Sequence, residues 1–174
     1  MDNLVKFREE FVLNLCFRMD ESLRMVSIAL DKITEDQLWQ KPNGSLNSIG
    51  NMILHLCGNM RQYGITSLND VADKRDREAE FNTQGGYSKL QIFNLLKQTV
   101  DEVKATLTKI STDRLLSYRS VQGFNFSGIG NSVHVVEHFS YHTGQIAFWV
   151  KQLNNEPLGF YDGHDLNLLN NDAH

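Results

Sequence analysis

The sequence predicts an all-α protein, a four-helix bundle of long amphipathic helices. Three observations carry that prediction. Only two prolines, Pro42 and Pro157, interrupt 174 residues, so long stretches are free of helix breakers. Apolar residues recur at three- and four-residue steps in four separate stretches, the mark of a helical stripe facing a core. Strand-like alternation is confined to one short piece, residues 121–126.

The first helix is expected over residues 4–33, with Phe7, Phe11, Leu15, Met19, Leu23, Val26 and Leu30 as its buried stripe. Thr34 and Gln37 then form a capping box that starts a short helix, which must stop before Pro42. A turn rich in Pro, Asn, Gly and Ser leads into a second long helix over 48–67, striped by Ile49, Met52, Ile53, Leu56, Met60 and Tyr63. Gly50, Gly58 and Gly64 lower its intrinsic propensity, so tertiary contacts must hold it. Residues 68–87 show no clear period and carry the charge cluster Asp73, Lys74, Arg75, Asp76, Arg77 and Glu78. A connection of that length lets the chain cross the bundle.

The third helix has the best local start: Ser88 and Gln91 make a capping box, and Tyr87 and Ile92 occupy the hydrophobic-staple positions. Its stripe is Ile92, Phe93, Leu96, Val100, Val103, Leu107 and Ile110. Turn formers over 117–130 precede a fourth helix over 131–153. Residues 1–174 are expected to form one domain, with 154–174 as an irregular C-terminal arm, on length and composition.

Composition narrows the function classes. Apolar residues make up 41%, enough for a core, and no apolar run approaches the ~18 residues of a membrane span. The first six residues carry charge where a signal peptide needs apolar side chains, so a cytoplasmic location is expected. Seventeen basic against twenty-one acidic residues, a net charge of −4, give no field to attract nucleic acid. Cys16 and Cys57 do not make a disulfide scaffold in such a chain.

Chemistry enters with histidine. His134, His138 and His142 follow one another at steps of four on the fourth helix; residues i and i+4 share a face, so His138 and His142 can chelate one ion. At about 100° per residue, His142 lies about 50° from the centre of the stripe Val135, Phe139, Ile146, Val150 and Leu153, His138 about 90° and His134 about 130°. His138 and His142 therefore flank the core as ligands, and His134, which drifts toward solvent, is expected either to support the ligands from behind or to lie on the surface. Two imidazoles rarely complete a site, and His55, the one histidine of the second helix, is the natural third ligand. Asn51 and Asn59, four residues either side, are placed to orient its other ring nitrogen. Three neutral ligands leave a coordination position open, as in catalytic or exchangeable sites. Zinc and nickel suit imidazole best, with iron, cobalt or manganese as alternatives.

Other chemistries lack their spacing. No acidic residue precedes a histidine by three, as a ferritin-like site needs, and no His-Glu-x-x-His, Gly-x-Ser-x-Gly or phosphate loop occurs. Glu137, one residue from His138, points about 100° away from it and is a poor co-ligand. Cys57 reads as a small core residue. His164 and His174 are peripheral, and Tyr141 and Gln145, near the ligand pair, acquire no role from spacing.

Three segments resemble the DinB-like superfamily: Asp36-Gln37-Leu38-Trp39-Gln40-Lys41-Pro42; Asn47-Ser48-Ile49-Gly50-Asn51-Met52-Ile53-Leu54-His55-Leu56; and His138-Phe139-Ser140-Tyr141-His142-Thr143-Gly144-Gln145-Ile146. Where many relatives carry Arg before the Gly-Gln pair, this chain has Thr143. The resemblance implies a DinB-type bundle with a divalent metal on His55, His138 and His142, and a homodimer. It also implies activities found among relatives, transfer of a low-molecular-weight thiol such as bacillithiol to an electrophilic small molecule, or metal-dependent hydrolysis. In the first, Arg75 and Arg77 would contact an anionic thiol; in the second, Glu137 or Glu102 would serve as base. A non-catalytic metal-binding module is the third reading.

Overall fold

A computed structural model describes residues 3–169. Four long elements build the bundle: α1 (Asn3–Asp31), α3 (Ile49–Met60), α6 (Lys89–Lys109) and α8 (Gly128–Asn154). Short helices α2 (Glu35–Trp39), α4 (Ser67–Asn69), α5 (Arg77–Asn82) and α7 (Thr112–Leu116) lie in the connections, with a hairpin of β1 (Tyr118–Val121) and β2 (Phe124–Ser127). Helix α1 packs on α8 and α6, and α3 packs on α6 and α8. The ring therefore runs α1–α6–α3–α8, with α1 facing α3 and α6 facing α8 across the core. The long connection after α3 joins two neighbours, and the diagonals are crossed by the segments holding α2 and α7. No described helix is long and apolar enough to cross a membrane.

The four stripes meet at the centre. Met19, Val26, Ile53, Leu56, Ile92, Leu96, Val100, Phe139, Ile146 and Val150 are fully buried, and such apolar burial is the main favourable term in folding. Phe7, expected in the buried stripe, is 62% exposed and stacks on Phe11 instead; this end of α1 lies beside the α6 terminus, where Arg8 donates to the Ile110 carbonyl at 3.1 Å. The capping boxes at Thr34, Ser48 and Ser88 all form.

Four elements depart from the sequence reading. The second long helix is not uniform: after Met60 it widens into a π-helical turn, Arg61–Thr66, before α4. Wide turns of this kind re-aim side chains, and here they direct Gln62 and Tyr63 toward the functional residues. Residues 68–87, expected to lack regular structure, contain α5, capped by Asp76, whose side chain accepts from the Ala79 amide. The alternating piece is a hairpin that turns at Gln122 and Gly123, φ 51° and 82°, the left-handed pair a tight two-residue turn requires. Helix α8 begins at Gly128, three residues before the expected start. Its position permits no side chain, because a Cβ there would collide with the Arg114 carbonyl.

Candidate metal centre

Helices α3 and α8 bring His55, His138 and His142 together as expected, one ring nitrogen from each lying within 4.8 Å of the other two. His55 is buried and the other two are half-buried. The Nε2 atoms of His55 and His138 are 2.9 Å apart, and the three ring centroids are separated by 4.6–5.1 Å. Ligand nitrogens on a tetrahedral zinc stand about 3.3 Å from one another, a value these separations bracket. Two lone pairs at 2.9 Å repel unless a proton or a cation lies between them, which is the electrostatic condition a metal site relieves.

The rings of His138 and His142 are held neutral. Burial lowers His138 to about 3 and His142 to about 4, with repulsion from neighbouring imidazoles adding to each. Their lone pairs are thus available throughout the neutral range, as metal ligation demands. The donor set fits a divalent cation of the zinc or nickel kind.

Sequence reasoning missed the group that orients His55. Glu80, on α5, is 8% exposed and its Oε2 lies 3.0 Å from His55 Nδ1. Arg75 grips the same carboxylate with two bonds, Nε to Oε1 at 2.7 Å and Nη2 to Oε2 at 2.8 Å. Nη2, one of whose two protons goes to Oε2, also stands 3.0 Å from His55 Nδ1, but an ionised Glu80 can only accept, so its own contact with Nδ1 needs a proton on that nitrogen. Hydrogen-bond matching therefore places the imidazole proton on Nδ1, donating to Glu80, and turns the Nε2 lone pair toward the triad. Burial pushes the Glu80 carboxyl up, yet the bonds from Arg75 and His55 outweigh it and hold the group below the usual carboxylate range. Gln62, from the π turn, accepts from Arg75 Nη1 at 2.8 Å and donates to Asp73.

The cluster is built around a glycine. A Cβ at Gly58 would run into Glu80 Oε1 and Arg75 Nε, so the helix can accept the ion pair against its backbone only where no side chain stands. Asn51 and Asn59 do not touch His55, contrary to expectation. Asn51 Nδ2 donates to the carbonyls of Glu80 and Thr83, at 3.0 and 2.7 Å, and so ties down α5. Asn59 Nδ2 lies 3.2 Å from His134 Nε2. His134 is half-buried rather than surface-facing: its ring stacks on His138 at 5.2 Å and sits 4.2 Å from Tyr63, which the π turn brings in.

The charged segment divides. Arg75 is consumed inside the protein, its side chain 5% exposed, while Arg77 is exposed and lies 4.8 Å over the Phe81 ring. Glu137 is exposed and Glu102 pairs with Arg61 at 3.3 Å, so neither carboxylate named as a base reaches the triad. Cys57 is buried, its thiol pushed up to about 12 by burial. His164 lies in the exposed arm, and His174 falls outside the described residues. Beside the triad opens a cavity of about 700 Å³, with His55, His142, Met52, Phe81 and Trp149 in its wall and Tyr141, Gln145 and Phe148 among its lining.

Two solved structures share this architecture. The DinB-like protein YjoA of Bacillus subtilis is 14% identical, with a TM-score of 0.61. A DinB-like protein of Bacillus cereus is 16% identical, with a TM-score of 0.65. Each likeness covers 83% of this chain and 91% of the other. No curated protein matches the chain. The family model described as Protein of unknown function (DUF1572) matches residues 6–160. The chain therefore belongs to that family, and its fold is the DinB-like helical bundle.

Proposed function

We propose that the protein is a divalent-metal-dependent S-transferase that joins a low-molecular-weight thiol to an electrophilic small molecule. One observation carries this reading: three imidazoles converge on one point, and two of them, His55 and His142, stand in the wall of a roomy cavity that carries no cysteine. His55, His138 and His142 would hold the ion, with zinc or nickel best suited to them. A cation bound there supplies Lewis-acid chemistry, lowering the pKa of a thiol so that thiolate is present at neutral pH.

The protein's residues do the rest. Glu80 fixes the His55 tautomer and Arg75 fixes Glu80. Phe81 and Trp149 give the electrophile an apolar wall, against which a positioned thiol reacts with an effective concentration far above that in solution. Arg77, stacked on Phe81 at the edge of that wall, supplies a cation for a carboxylate on the thiol, the part expected of Arg75 as well. The thiol sulfur forms the new carbon–sulfur bond, the leaving group departs with its electron pair, and the thiol proton passes to solvent.

Hydrolysis is the weaker reading, since Glu102 is paired with Arg61, Glu137 is exposed to solvent, and Glu80 is occupied by two partners. The test is turnover of monochlorobimane by zinc- or nickel-loaded protein with bacillithiol. A rate well above that of His138→Ala supports the proposal; equal rates, or ester cleavage without thiol, overturn it.

A further inference from the structure

The cavity beside the triad has walls of one character. Of its fourteen lining residues none is Asp, Glu, Lys or Arg, and the polar ones are amides, a serine and the two imidazoles. Four aromatic side chains, Phe81, Tyr141, Phe148 and Trp149, come from two different elements, α5 and α8. Tyr141 and Phe148 are 61% and 62% exposed, so the aromatic surface continues to the rim. About 700 Å³ falls within the range of small-molecule sites, which are mostly apolar with a few polar groups.

We propose that this cavity binds an uncharged aromatic small molecule, seated against Phe81 and Trp149 with its reactive atom toward His55 and His142. The inference rests on the triad as the reacting centre and adds the class of electrophile that reaches it. An anion seated inside this cavity would leave water and find no cationic side chain in the wall, since Arg77 stands at its edge, where it serves the thiol, so its desolvation is not fully compensated. A cation would likewise leave water and find no carboxylate in the wall, a cost that aromatic faces offset only in part. An uncharged ring loses nothing polar and gains offset or edge contacts with the four aromatic walls.

Trp149 reports on binding. The only other tryptophan, Trp39, lies against Gly50 and donates to the Tyr87 carbonyl at 3.1 Å, so a Trp39→Phe background leaves the cavity indole as the sole signal. The experiment titrates this full-length protein, EDTA-treated and zinc-loaded, with three ring-matched quenchers: 4-nitrobenzyl alcohol, 4-nitrobenzoate and 4-nitrobenzylammonium. In the EDTA-treated protein the alcohol is expected to bind at least about tenfold more tightly than either ion. Phe148→Glu, on an exposed position that leaves folding intact, is expected to weaken the alcohol by about tenfold. Equal affinity for an ion in the EDTA-treated protein overturns the proposal, as does unchanged binding in Phe148→Glu. So does a dimer, seen by sedimentation, that buries Tyr141 and Phe148 and excludes all three probes. Because these arms need no metal, the cavity's selectivity is read separately from zinc stoichiometry, which alone decides the triad.

Discussion

Replacing Glu80 by glutamine should weaken metal binding without touching a ligand. Both carboxylate oxygens are in use: Oε1 accepts from Arg75 Nε, and Oε2 accepts from Arg75 Nη2 and His55 Nδ1. Glutamine has one oxygen. If its amide nitrogen faces His55, two donors collide unless the ring proton moves to Nε2, where it blocks the metal. If the nitrogen faces Arg75 Nε instead, the guanidinium is left buried without a counter-charge. Loss of such an orienting carboxylate costs about 10- to 100-fold in metal affinity, or about 1.4 to 2.7 kcal/mol. The pair is also 5% and 9% exposed at its side chains, and breaking a buried pair from one side costs about 3–5 kcal/mol of stability. A double variant, Arg75→Met with Glu80→Gln, separates the two effects because it removes the orphaned charge. Its unfolding midpoint in urea should return toward that of the parent while its zinc affinity stays at least about tenfold low. The assay is competition for zinc against a chromophoric chelator, with urea unfolding of the EDTA-treated proteins beside it. Parental zinc affinity in a folded Glu80→Gln protein refutes the assignment of the His55 tautomer.

Further expectations follow from the same geometry. Gly58→Ala should lower zinc affinity, because its Cβ meets the Glu80–Arg75 pair, even though alanine favours a helix interior by about 1 kcal/mol; a chelator competition with no loss contradicts this. In EDTA-treated protein, His138 and His142 sit at about 3 and 4, below the unfolded value of about 6.5. The unfolded chain therefore binds more protons in between, so their contribution to stability is complete above about pH 6.5 and is lost as pH falls toward 3. Urea midpoints at pH 7, 5.5 and 4.5 should decline, and less steeply in His138→Gln; parallel declines would contradict the assignment. Zinc at a hundredfold excess over its dissociation constant should stabilise the fold by about 2.7 kcal/mol, raising Tm by about 5–10 °C. That shift should vanish in His142→Ala.

The parts of this architecture that were legible in the sequence are those encoded locally. Stripes such as Ile92, Leu96, Val100 and Val103 repeat at the helical period, and His138 and His142 are a turn apart on one helix, so their convergence needs no knowledge of the fold. His55 followed because only one histidine lies on a second long helix. Glu80 was illegible for a physical reason: α5 is six residues long, too short to show a period, and its link to His55 exists only once α5 docks on α3. The cap at Asp76 was its one local sign. The π turn has no sequence mark either, and it is what settles His134 beside the ligands rather than on the surface. Angles about the axis of α8 place that ring toward solvent, but they cannot register that Tyr63 and Asn59 arrive from the neighbouring helix. The same blindness left Phe7 in the core, where periodicity alone put it.

The central claim is that imidazoles from two helices share one cation. Native mass spectrometry of untagged protein, equilibrated with a slight excess of zinc or nickel, tests it most directly. One metal ion per chain is expected for the parent, and none at the same free metal concentration for His55→Ala, His138→Ala or His142→Ala with their helical circular dichroism intact. A parent chain that takes up no ion, or a His55→Ala chain that keeps one, would contradict the account.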